Sequence, residues 1–94
     1  MAPNRGAGLE SEVLYRARHD PVTGAYNRWE LEQRLNAALR RSLETSLALL
    51  DLDRFKEVND RAGHAAGDIL LRQIARGLHQ RLRDTDFIAR MGGD

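Results

Sequence analysis

At 94 residues the chain is bounded to one domain with a small core. Fifteen basic and 14 acidic side chains leave a formal charge of +1, which gives no global pull toward nucleic acid or an anionic membrane. There is no cysteine, which excludes a disulfide framework and a thiolate zinc site, and the longest apolar run, Leu47–Leu50, is far short of the ~20 residues of a membrane span.

The opening MAPNRGAGLESEV has no apolar stretch behind Arg5 and does not read as a secretory signal, so the expectation is a soluble, cytoplasmic chain. Residues 1–8 are rich in Gly, Ala, Pro and Asn and are expected to fray. Leu9, Val13, Leu14 and Ala17 recur at helical spacing and predict a short helix over about 9–18, so that 1–18 reads as a disordered start and a linker helix. The stretch from His19 to Gly24 is a break: Pro21 disfavours helical geometry at Asp20, and Gly24 favours a turn.

Trp29, Leu31, Leu35, Ala38 and Leu39 predict a helix over about Asn27–Arg41, followed by a loop at 42–46. Leu47–Leu50 reads as a strand buried on both faces, although leucine and alanine leave helix open on periodicity alone. A short helix over about 54–60, a turn at Gly63 and a long helix over about 66–82 come next. Ile69, Leu70, Ile74, Leu78 and Leu82 form one stripe of that helix, with Asp68 in its first turn, where a carboxylate suits the helix dipole. Phe87-Ile88-Ala89 reads as a second strand, and Gly92-Gly93 as a turn that carries Asp94 at its tip.

Chemistry concentrates first at Asp51-Leu52-Asp53. Two carboxylates at i and i+2 share one side of an extended chain, and the carboxyl end of a strand is where open α/β sheets hold ligands. Hard oxygen donors there suit Mg²⁺, which takes one or two carboxylates together with substrate phosphates. The plainer alternative is a strand that ends in polar residues at the surface. An EF-hand loop does not fit, because Phe55 occupies its third acidic position and no glycine follows. A haloacid-dehalogenase-type phosphatase expects Thr or Val where Phe55 stands.

Further residues extend the pattern. Asp51, Asp53, Phe55, Lys56, Asn59 and Asp60 fill D-x-D-x-F-K-x-x-N-D, and Gly63-His64 and Gly67-Asp68 follow. This resembles the first half of the GGDEF domain of diguanylate cyclases. Upstream, His19 to Arg28 looks like that family's leading motif, H-D-x-L-T-G-L-x-N-R, with Val22 and Ala25 in place of leucines. Downstream, Arg90-Met91-Gly92-Gly93-Asp94 is similar to the R-Y-G-G-D that opens the signature. The resemblance covers residues 19–94, read as a partial GGDEF domain.

The resemblance implies an α/β fold, a nucleotidyl-cyclase palm whose ferredoxin-like-related sheet carries packed helices, with only its N-terminal part present. It implies that Asp51, the Leu52 carbonyl and Asp94 hold Mg²⁺ or Mn²⁺, and that Asp51 and Asp94 are the catalytic carboxylates. Asn59 and Asp68 would read the guanine edge: an amide both accepts and donates, and a carboxylate accepts from N–H groups. Phe55, Lys56 and the Gly63-His64 turn would line the phosphate loop, with Arg28 in support. Each has a plainer reading, as a turn cap for Asn59, a surface histidine for His64, and a helix-end charge for Asp68.

Arg83-Asp84-Thr85-Asp86 is separated from Gly92 by five residues, the register of the family's R-x-x-D site for inhibition by cyclic di-GMP. Arginine suits that task, because its planar fork grips a guanine edge or a phosphate. The family joins two GTP into cyclic di-GMP and two pyrophosphates across a homodimer, with no nucleic-acid partner. Here the pattern stops inside its signature, before the Glu-Phe that would follow Asp94. The expectation is that the parent activity is diguanylate cyclase and that this chain is itself inactive. The alternative is a non-catalytic cyclic di-GMP-binding module acting through Arg83 and Asp86.

Overall fold

Apolar residues three and four apart nucleate the architecture. A computed structural model describes the backbone of residues 5–92 and the side chains of residues 11–92, and its helices are α1 Arg5–Arg18, α2 Arg28–Arg40, α3 Phe55–Ala62 and α4 His64–Arg81. α1 starts at Arg5 rather than near residue 9. Gly6 and Gly8 each disfavour helix by about 1 kcal/mol relative to alanine, but extending an existing helix adds a hydrogen bond per residue.

Asn27 joins α1 to α2. Its Oδ1 accepts from Glu30 N–H (2.9 Å), its Nδ2 donates to Ala17 O (2.9 Å), and its own N–H donates to Arg18 O (2.8 Å). One side chain thus satisfies groups orphaned at the end of one helix and the start of the next. The first turn of α2 buries Glu30 and Leu31, with Glu30 held by Arg34 at 3.0 Å. Ser42, at φ +55°, breaks α2, and Leu43 N–H reaches back to Ala38 O (3.0 Å).

Gly63 alone separates α3 from α4. Its φ of +90° and ψ of 162° lie in a region essentially reserved for glycine, so the chain turns there without a side-chain clash. α3 folds back onto α4 at Gly67, which is buried against Asn59 and Phe55. Because α4 begins at His64, Asp68 lies one turn inside the helix, not in its first turn. The expected dipole contact of Asp68 therefore weakens, since that effect fades beyond the first turn.

The expected strand at Leu47–Leu50 does not form. No backbone hydrogen bond joins residues 46–53 to another described residue, and Leu47, Leu49 and Leu50 are 66%, 80% and 67% exposed. A strand exists only as half of a ladder, and leucine and alanine supply little intrinsic preference for one. Phe87-Ile88-Ala89 fares slightly better, with a single parallel bridge from Ala89 to Tyr26. Tyr26 also bridges His19 in antiparallel sense, so these pairings cluster around one residue. The palm's sheet is therefore absent among the described residues.

The core is correspondingly thin. Leu31 is the buried large apolar residue among those described, and the radius of gyration is 16.1 Å against about 13 Å for a compact 100-residue domain. Among the described residues no helix is long and apolar enough to cross a membrane.

Candidate functional site

The α3–α4 corner gathers Phe55, Lys56, Asn59, His64 and Asp68 of the residues that the motifs single out. Arg54 precedes α3 in the left-handed conformation (φ +61°), a costly choice for a side chain larger than glycine. Phe55 then opens α3 half-buried, while Lys56 projects into solvent. Asn59 is one turn on, half-buried, its Oδ1 shielded and without a hydrogen-bond partner. His64 opens α4 exposed, and Asp68 is half-buried next to Gly67. Since Gly67 packs on Asn59, the corner brings the amide of α3 alongside the turn of α4 that carries Asp68.

The metal-ligand set is not brought together. Asp51 and Asp53 are exposed in the irregular segment, Leu52 is half-buried, and Asp94 lies outside the described residues, as does Gly93. Among the described residues no three His, Asp or Glu side chains converge as a cation site. The donors themselves, a carboxylate and a peptide carbonyl, are hard oxygens that suit Mg²⁺ or Mn²⁺ completed by water and phosphate.

Arg83 and Asp86 form a closed turn beyond the end of α4. Arg83 N–H donates to Asp86 Oδ2 (3.1 Å), and Asp86 N–H donates to Arg83 O (3.0 Å). Both residues are exposed, and the Arg83 guanidinium makes no hydrogen bond with a described residue.

The leading motif does structural work that its composition only hinted at. Asp20 Oδ2 accepts from both the N–H and the hydroxyl of Thr23 (2.8 Å each), a side-chain-mimicked turn. Arg90 Nη1 reaches both oxygens of the same carboxylate at 3.3 and 3.4 Å. Burial pushes the Asp20 carboxyl up, but the Thr23 donors and the Arg90 charge outweigh it and hold it below its ordinary value. The backbone seals the same junction: Tyr26 N–H donates to Ile88 O (3.2 Å) and Arg90 N–H to Tyr26 O (2.8 Å). The segment that leads into Gly92 is thereby fastened to the leading turn.

An aromatic pile runs beside this junction. Tyr15 stacks on His19 at 3.8 Å, His19 on Tyr26 at 4.8 Å, and Phe87 meets Tyr26 edge-on at 5.6 Å. The Arg34 guanidinium sits 4.1 Å from the centre of the Tyr26 ring and donates to its hydroxyl at 2.7 Å. Between this pile and the C-terminal half of α4 lies an open cleft of about 560 Å³, whose floor includes Arg72, Arg76 and His79. Arg72 Nε crosses to Val22 O at 3.0 Å and ties α4 to the leading turn.

Three kinds of relatives share this sequence. The family model described as "Diguanylate cyclase, GGDEF domain" matches residues 17–94. Diguanylate cyclase TpbB of Pseudomonas aeruginosa is 44% identical over 88 residues, covering 89% of this chain and 20% of that protein. The probable diguanylate cyclase DgcE of Escherichia coli is 46% identical over 87 residues, covering 88% of this chain and 8% of that protein. The chain thus spans a fifth or less of these curated relatives. Among solved structures, the isolated GGDEF domain of TpbB from Pseudomonas aeruginosa superposes with a TM-score of 0.66 at 42% identity, over 81% of this chain and 46% of that one. A microbial GGDEF domain described in a novel interaction mode with cyclic di-GMP superposes with a TM-score of 0.68 at 35% identity, over 87% and 55%. Both likenesses accord with the palm architecture, whose sheet is absent among the described residues. A match that runs from the last residues of α1 through the α3–α4 corner to Asp94 makes the chain a member of the GGDEF domain family of diguanylate cyclases.

Proposed function

We propose that the chain carries the guanine-reading face of a diguanylate cyclase domain in cyclic di-GMP signalling, and that it does not complete the reaction alone. The observation that carries this reading is the α3–α4 corner, where Asn59 and the Gly67-Asp68 step meet with a shielded amide oxygen still unsatisfied. An amide and a carboxylate side by side match the acceptor and donor pattern along a guanine edge. Lys56, exposed one turn before Asp60, supplies positive charge, and the uncapped first turn of α4 from His64 supplies backbone N–H groups on the side where phosphates would lie.

Asp51, the Leu52 carbonyl and Asp94 are the residues that would hold Mg²⁺ or Mn²⁺, and their oxygen chemistry fits such an ion. A bound divalent cation would supply charge neutralisation for the triphosphate. Asp51 contributes a carboxylate open to solvent, free to take either a cation or its hydration shell. In the parent reaction the 3′-hydroxyl of one GTP attacks the α-phosphorus of the other and pyrophosphate leaves, twice over, so two domains must face each other. That requirement supports a homodimer of the complete domain and a cytoplasmic setting, where GTP is present. It gives nucleic acid no part.

Incubation of the chain with GTP and Mg²⁺ tests both halves. No cyclic di-GMP is expected, while calorimetric titration is expected to favour GTP over ATP. Measurable turnover would refute the inactivity, and equal heats for the two nucleotides would refute the guanine face.

The pre-closed Arg83–Asp86 turn favours a second reading, a non-catalytic receptor for cyclic di-GMP. The turn leaves the Arg83 fork exposed, the state in which it could meet a guanine edge.

A further inference from the structure

Two glycines lie inside α4, and their surroundings differ. A Cβ placed on Gly77 would meet nothing within 4 Å. A Cβ placed on Gly67 would fall on the Asn59 carboxamide oxygen, 2.9 Å from Asn59 Cγ and 3.2 Å from Phe55 Cζ. Glycine inside a helix sacrifices stability relative to alanine, so at Gly67 the missing side chain is compensated by what occupies its place. The occupant is the amide of Asn59, whose Oδ1 is buried there without a hydrogen-bond partner. A shielded, unpaired acceptor is an unfavourable state that a donor relieves.

We propose that Gly67 is a positioning residue of the nucleotide face: the space at its Cα seats the Asn59 carboxamide beside Asp68, and base selectivity depends on residue 67 having no side chain to fill that seat. This rests on the guanine reading above. A methyl group at 67 expels the amide from its place and forces α3 away from α4, so the two groups that address the base no longer share one edge.

The test uses the full 94-residue chain, with thermal melting and nucleotide titration as separate readouts. Helix propensity alone predicts that Gly67→Ala and Gly77→Ala both raise the melting temperature. The seat predicts opposite signs, a rise for Gly77→Ala and a fall for Gly67→Ala. It further predicts that Asn59→Ala, added to Gly67→Ala, restores much of the melting temperature, because the atoms that collide hardest are gone and only Phe55 Cζ remains close. Preference for GTP over ATP should survive in Gly77→Ala and be lost in Gly67→Ala and in the double variant. If Gly67→Ala melts at or above the wild type, or if removal of the Asn59 side chain gives no rescue, the seat is refuted. If the wild type itself does not distinguish GTP from ATP, the guanine reading fails and the selectivity half of the proposal fails with it, while the melting series still decides the contact.

Discussion

Arg90 and Asp20, 70 residues apart in sequence, meet through a guanidinium nitrogen shared between both carboxylate oxygens at 3.3 and 3.4 Å. Their side chains retain only 18% and 13% of their exposure, so water screens the pair weakly. Removing Asp20 leaves Arg90 sheltered without its counter-charge, and removing Arg90 leaves Asp20 only the Thr23 donors. Arg90→Ala and Asp20→Asn should each lower stability by about 1–3 kcal/mol, read as a shifted urea midpoint at unchanged slope. The double variant should lose clearly less than the sum of the two. Additive losses would mean that the pair does not interact in solution.

The same pair fixes a pH dependence. Because the folded Asp20 carboxyl is held below its ordinary value of 3.8, the unfolded chain takes up the proton first as pH falls. Its stabilising contribution is complete above that ordinary value and drains away as pH falls through the lower folded one. The gap in melting temperature between wild type and Asp20→Asn should therefore be constant near neutrality and close in acid. A gap that persists unchanged to pH 2 would count against the assignment.

Asn27 is expected to matter more than an ordinary helix cap, because both ends of its amide are engaged. Asn27→Ala should cost about 1–2 kcal/mol. Asn27→Asp keeps the acceptor for Glu30 N–H but loses the donor to Ala17 O, so it should fall between the two. Urea titrations followed by helical circular dichroism would separate the three; an aspartate variant as unstable as the alanine one would show that the α1 end dominates.

Gly63→Ala should destabilise by about 1–3 kcal/mol, since its backbone at φ +90° and ψ 162° admits a side chain only under strain. No atom stands within 4 Å of the would-be Cβ, so the loss has a backbone origin and larger side chains should cost little extra. A graded loss with side-chain size at position 63 would point to crowding instead.

Titrating cyclic di-GMP into the wild type and an Arg83→Ala variant decides the receptor reading. Binding that disappears in the variant supports it. Indistinguishable heats would leave the turn a purely local feature of the chain beyond α4.

Much of the helical framework was legible in the sequence, and the reason is local. Trp29 to Leu39 and Ile69 to Leu82 repeat at helical spacing, and Gly63 can be read as a break without any partner in view. Helix ends were blurred: α1 starts at Arg5, and α4 at His64, which moved Asp68 into the second turn. The strand at Leu47–Leu50 failed because pairing belongs to two segments, and an apolar run says nothing about whether its partner is at hand. Within the site, Asn59 and Asp68 were named by their motif, and the fold does bring their helices together. The tie from Asp20 to Arg90 went unread although both residues stand in quoted motifs, since neither spacing nor periodicity reports a contact across 70 residues. Gly67 was noted only as a letter of the motif; its meaning needed the position of the Asn59 amide.

The clamp on the leading turn has a consequence for the order of events during synthesis. Asp20 leaves the ribosome long before Arg90, and Tyr26 long before the Ile88 carbonyl that its N–H will meet. The hydrogen bonds within helices α1 to α4 need no residue beyond Leu82. Arg72 can reach Val22 O earlier, but the leading turn cannot be clamped until Ile88 and Arg90 have been made. Its docking is therefore a late step, and a nascent chain halted before residue 88 would have the turn still unclamped.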